Sequence, residues 1–197
     1  PYDLTLERHR LMWLYLKNES DFFTKDKLNV LHIAPEQCFF GKFKKQTNLN
    51  YLTGDLESPL ADIHFDLHQI PLEDNRFDVV FCNHVMEHVY DPIQCMKEIY
   101  RVMKSGGCAI MQVPQDMTRE TTYEDPSIID PIEREKHFWQ KDHVRLFGRD
   151  YPQWIEKARF KVETYDVGNN FDSKTISKYR LMKDELLYLS LIHISEP

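Results

Sequence analysis

Acidic and imidazole side chains recur in this sequence directly after short apolar runs. Glu36 follows KLNVLHI and the small turn Ala34-Pro35, Asp55 follows LNYLTG, Asp66 follows DIHF, and Asn83 and His84 follow FDVVFC. If each run is a strand of an open α/β sheet, these residues share its carboxyl edge, where such sheets bind ligands. An acidic residue ending the second strand, roughly 20 residues after the first loop, suits a ribose diol, because one carboxylate accepts both hydroxyl hydrogens. Asp66 then stands near an adenine amino group, with Leu67 as an apolar wall. Each aspartate alone suits a turn or strand-end cap as well. Together they point to a nucleoside-like ligand. His84 is the candidate base on an acceptor hydroxyl or amine, histidine being the side-chain type that exchanges protons near neutral pH; its other reading is as a wall of the pocket.

The elements that must hold these residues are legible from periodicity. Phe77–Cys82 is a continuous apolar run of the kind a strand buried on both faces requires. Asp91-Pro92 opens a helix as N-cap and first position, and Ile93, Met96, Ile99, Tyr100 and Met103 form its apolar stripe. Lys104 belongs to the last turn, Gly106-Gly107 stop the helix, and residues 109–113 start the next strand. This is a βαβ unit with a right-handed crossover. Upstream, Leu4–Lys17 is an amphipathic helix with Leu4, Leu11, Leu14 and Tyr15 on one face; Arg8, His9 and Arg10 could border a substrate mouth. Strands are expected at 27–33, 49–53 and 62–65, with a helix over 36–46. Downstream, the spacing predicts a helix over 147–158, a strand over 160–167 and a terminal strand.

The chain has 197 residues, enough for one α/β domain, with 42% hydrophobic and 29% charged residues. Its net charge of −7 argues against broad phosphate-backbone binding, so nucleic acid is not the expected partner. Cys38, Cys82, Cys95 and Cys108 lack metal-ligand spacing and read as reduced core residues of a cytosolic protein. No apolar run approaches the roughly 20 residues of a membrane span.

Residues 28–113, through HFDLHQIPLEDNRFDVVFCNHVMEHV and EIYRVMKSGG, resemble class I S-adenosylmethionine-dependent methyltransferases of the type 11 kind. The segment DHVRLFGRDYPQWIEKARFKVETY resembles the same family's sixth helix and strand. The resemblance implies a three-layer Rossmann-like fold with a mostly parallel seven-stranded sheet and an antiparallel last strand. It implies S-adenosylmethionine as cofactor and methyl transfer to an acceptor, with a small molecule as the expected partner. Carried onto this chain, the cofactor set is Ala34, Pro35, Glu36, Asp55, Asp66, Leu67 and Asn83. Two departures stand out. The first loop, LHIAPEQ, has no glycine, and Pro35 offers no N–H; Glu36 is the substitute partner for the cofactor's ammonium group. The gap from Asp55 to Asp66 is too short for a full helix. A second reading therefore keeps the fold without the chemistry, as a ligand-binding module; a third is another nucleotide-binding Rossmann enzyme.

His84-Val85-Met86-Glu87-His88 also matches the H-x-x-E-H pattern of a zinc peptidase family. That chemistry needs one helix holding both histidines, and Tyr90-Asp91-Pro92 interrupts at once, so no metal is expected. The expected organisation is an N-terminal helical segment over 1–26 and a methyltransferase domain over 27–188 with an insertion at about 115–145. His137-Phe138-Trp139 and His143–Phe147 close that insertion and would cover an acceptor. Leu189–Pro197, LSLIHISEP, resembles the in-frame translation of a transposase adapter used in sequencing libraries, and is taken as a non-native tail.

Overall fold

The computed structural model describes residues 5–193. Its sheet is built from β1 (Leu28–Ile33), β2 (Leu49–Asp55), β3 (Ile63–His64), β4 (Phe77–Cys82) and β5 (Met103–Ile110). After a small ribbon of β6 (Tyr123–Glu124) and β7 (Arg145–Leu146), the chain adds β8 (Lys161–Asp166) and β9 (Leu186–Leu191). The order across the sheet is β3-β2-β1-β4-β5-β9-β8. β1 pairs in parallel with β2 and β4, β2 with β3 and β4 with β5, while β9 runs antiparallel between β5 and β8. This is the seven-stranded, mostly parallel Rossmann-like sheet that the sequence resemblance implies.

Side-chain alternation explains the layers. Leu31 and Ile33 of β1 and Val80 and Cys82 of β4 join one apolar cluster; Val30 and Phe81, one residue out of phase, join another. The first cluster is closed by α3 (Pro92–Val102) and α5 (Tyr151–Lys157), through Met96, Ile99, Tyr151 and Ile155. The second is closed by α1 (Glu7–Asn18) and α2 (Gln37–Phe43), through Leu11, Leu14, Phe39 and Phe43. Leu4, expected on the α1 face, lies outside the described residues. The remaining helices are α4 (Pro131–Phe138), α6 (Val167–Asn170) and α7 (Ser173–Tyr179). No helix among the described residues is long and apolar enough to cross a membrane.

Asp91 caps α3 as expected, accepting from the Gln94 N–H at 3.0 Å. The exit from α3 differs. The helix ends at Val102, and Met103 is already in β5, opposite Phe77. The register then jumps, so that Val79 faces Cys108. Residues 104–107 bulge out of the ladder, and Lys104 donates to Asp78 Oδ2 at 2.8 Å instead of closing a helical turn. Gly107 fits that bulge because a Cβ there would lie 2.9 Å from the Lys104 carbonyl oxygen. The two glycines therefore serve a strand irregularity, and β5 ends at Ile110, earlier than expected. Likewise the helix expected from Phe147 begins at Tyr151, because Phe147 bridges to Gln115. Leu189–Leu191 fall in β9, and residues 194–197 lie outside the described residues.

Candidate functional site

The carboxyl ends of β1, β2 and β4 open onto one cavity of about 340 Å³. The chain leaves β1 through Ala34, whose φ of 50° is left-handed, a conformation that costs a residue with Cβ roughly 1–2 kcal/mol. Its N–H donates to the Gly54 carbonyl at 2.9 Å, fixing the turn against β2. Gly54 in turn has no Cβ for a physical reason: one placed there would sit 2.3 Å from Phe65 Cε1. Phe65 thus lies across the end of β2 and forms a wall of the cavity with Leu67 and Val85. Asp55 stands on the rim. Its Oδ1 accepts from the Glu57 and Ser58 N–H groups at 2.9 and 2.8 Å, which orients the carboxylate, while Oδ2 has no hydrogen-bond partner among the described residues. Asp66 Oδ1 accepts from the His68 backbone and from His68 Nδ1, at 2.9 and 2.6 Å; these bonds hold its carboxyl below the ordinary value. The cavity therefore unites Ala34, Asp55, Asp66 and Leu67 from the sequence-predicted set.

Pro35, Glu36, Asn83 and His84 do not line that cavity. Glu36, just before α2, is turned into a polar knot. Its Oε2 receives His32 Nε2 at 3.3 Å and Asn83 Nδ2 at 3.1 Å, and its Oε1 lies 3.2 Å from His9 Nε2. Burial alone would raise this carboxyl; the hydrogen bonds from His32 and Asn83, with the nearby His9 imidazole, outweigh it and hold Glu36 well below the usual range. Asn83 also accepts the Gln112 N–H through Oδ1 at 3.0 Å, so it ties the end of β5 to the first loop.

His84 follows with φ 55° and gives its N–H to the Gln112 carbonyl at 2.7 Å. Its ring lines a second cavity of about 300 Å³, together with Arg8, Gln112, Gln115, Trp139 and Glu185. Burial pushes the Glu185 carboxyl above its ordinary value. Arg8 was singled out by its place in the first helix; Gln112 and Glu185 were not. Gln112 pins β9 with both ends of its amide, donating to the Leu186 carbonyl and accepting from the Tyr188 N–H. A single glutamine in an apolar run gave no sign of that.

Residues 28–111 match a protein family described as "Methyltransferase domain". A probable S-adenosylmethionine-dependent methyltransferase of Mycolicibacterium smegmatis is 31% identical over 107 residues, which cover 53% of this chain and 37% of that protein. The fold follows the same line: phosphoethanolamine N-methyltransferase 2 of Haemonchus contortus, solved with S-adenosyl-L-methionine, superposes with a TM-score of 0.59 at 14% identity, over 94% of this chain and 52% of that one. Over residues 28–111 this chain is similar to class I S-adenosylmethionine-dependent methyltransferases. It spans well under half the length of the curated relative just named. The [4+2]-cyclase SpnF, at a TM-score of 0.64 and 12% identity over 95% of this chain and 82% of that one, shares the fold, a reminder that architecture does not fix chemistry.

Within the methyltransferase fold, the loop after β4 is clamped from the far side by Arg145. This residue is 4% exposed. It donates through Nη1 to the Met86 and Val89 carbonyls at 2.8 and 2.6 Å, through Nη2 to Tyr90 at 3.1 Å, and through Nε to Glu124 at 3.0 Å. The Val144 N–H adds a bond to the Glu87 carbonyl at 2.9 Å. The segment expected to cover an acceptor thus fixes the loop that carries His84, Glu87 and His88.

Proposed function

We propose that the chain moves a methyl group from S-adenosylmethionine to a small-molecule acceptor. The observation that carries this reading is the pair of cavities flanking residues 84–85. Val85 borders one, whose rim carries the Asp55 carboxylate; His84 borders the other, which holds Arg8 and Glu185. The first fits the nucleoside end of the cofactor: Asp55 Oδ2 is available to ribose hydroxyls, Asp66 stands nearby, and Phe65, Leu67 and Val85 offer an apolar face. When bound, that cofactor supplies an electrophilic methyl on a sulfonium, so the chain's main task is in-line positioning. Asn83 and Arg145 position by holding the loop after β4 in place. His84 takes the acceptor's proton: its ring lines the second cavity, where an acceptor hydroxyl or amine would lie. The methyltransferase unit is assigned to residues 27–188, acting in the cytosol, with residues 115–145 covering the acceptor.

A second reading has its own support. The first loop lacks glycine, and the Glu36 carboxylate is already engaged by His32 and Asn83. A module that binds nucleoside-like ligands without turnover would have this arrangement. Replacing Asp55 by alanine separates ribose recognition from fold maintenance: affinity for S-adenosylhomocysteine should fall by roughly 1–3 kcal/mol, about 5- to 150-fold. Unchanged affinity would remove Asp55 from the site.

A further inference from the structure

The most unusual group in the molecule is Glu87. It is 1% exposed, and neither carboxylate oxygen has a hydrogen-bond partner among the described residues. The His84 Nδ1 nearby lies off the hydrogen-bond direction. A buried carboxylate in that condition is strongly disfavoured unless a cation compensates it. Two further imidazoles face it. His143, also 1% exposed, gives Nδ1–H to the Phe138 carbonyl at 2.8 Å, which leaves the Nε2 lone pair without a partner. His88 Nδ1 lies 3.3 Å from both the Asp142 carbonyl and the Asp142 carboxylate, while its Nε2 stands 4.0 Å from Glu87 Oε1. The two rings meet edge to face at 4.7 Å between centroids. Ligand atoms of Glu87, His88 and His143 all fall within 4.8 Å of one another.

We propose that Glu87, His88 and His143 form a binding site for a divalent transition metal of the zinc class. Two imidazole nitrogens and one carboxylate oxygen suit such an ion and disfavour calcium or magnesium, which prefer oxygen ligands. Each histidine is already oriented by an oxygen on its far nitrogen, the arrangement that fixes the tautomer in metal-ligating histidines. Contraction to bonds of about 2.0–2.2 Å requires only small movements of side chains on a loop that Arg145 clamps. An entry path exists, because the His88 side chain is 33% exposed and borders the nucleoside cavity. The H-x-x-E-H words thus acquire a meaning other than peptidase chemistry. Only Glu87 and His88 of that motif bind, and the third ligand arrives from the segment after β5.

The test uses the full chain, stripped with a chelator and titrated with Zn²⁺ against a chromophoric competitor. Co²⁺ substitution supplies d–d absorption as a second readout. One ion per chain is expected, with binding weaker by about 100-fold or more in Glu87→Gln and His143→Ala. His88→Ala should show the same loss, and being partly exposed it tolerates substitution should either buried variant fail to fold. His64→Ala, at an exposed position on β3, should bind as wild type does. Failure of the wild-type chain to take up a stoichiometric ion would overturn the site, as would wild-type affinity in His88→Ala.

Discussion

Glu36 and Glu87 are two withdrawn carboxylates at the same edge of one sheet, each beside histidines, and they are settled in different ways. Glu36 receives donors from His32 and Asn83 and has His9 at 3.2 Å, so the protein itself completes it. Glu87 is more deeply buried and receives no hydrogen bond at either oxygen from the described residues. Burial alone therefore does not mark a working group. The informative feature is whether the chain supplies what burial takes away. Glu36 belongs to the brace between the first loop and β5; Glu87 is the carboxylate of the proposed metal site.

That contrast can be broken by mutation. Removing the Glu36 carboxylate with Glu36→Ala strands two or three donors around a partly filled space, and should cost about 3 kcal/mol in urea unfolding. Glu87→Gln in metal-free protein should cost no stability and should raise it if anything, since it removes a buried carboxylate that receives no hydrogen bond from the described residues. Equal losses in the two variants would show that Glu87 is stabilised by its neighbours after all. The acid limb sharpens the same point. Because the folded-state value of Glu36 is depressed below 4.5, its stabilisation is present above that pH and is lost as pH falls through the range beneath it. Glu36→Gln should flatten that part of the stability profile; a slope identical to wild type would refute the assignment. The smallest effect is at Ala34. Its left-handed backbone favours glycine, whose extra freedom in the unfolded chain offsets part of the gain, so Ala34→Gly should stabilise by about 0.5 kcal/mol. A destabilising result in thermal melts would mean that the Ala34 methyl group is needed as a wall of the cavity.

The legible parts of this molecule were those governed by local patterns. Strand periodicity and the order of acidic strand ends put Asp55, Asp66 and Leu67 at one edge, and the family resemblance adds Ala34; all four line one cavity, because each belongs to the turn its own strand makes. The Asp91-Pro92 cap was equally local. The Met103–Gly107 bulge was not: glycines and a lysine after an apolar stripe spell a helix end, and only pairing with Phe77 and Asp78 turns them into a strand. The fate of Glu36 depends on His9, His32 and Asn83, which come from three other elements. The Glu87 cluster depends on His143, brought over by Arg145. Such long-range groupings have no period to read. The tail illustrates the reverse case. We propose that Leu189–Pro197 derives from an adapter, yet its alternation lets Leu189 and Leu191 fill positions between β5 and β8. The parent DNA at those codons decides its origin.

The central claim, that the carboxyl edge of this sheet is a site for a sulfonium nucleoside, is tested most directly by calorimetric titration of the unmodified chain. S-adenosylhomocysteine, S-adenosylmethionine and NAD should be run in parallel. The account predicts stoichiometric binding of the first two and none of NAD at matched concentration. Heat from NAD alone, or from none of the three, would contradict it.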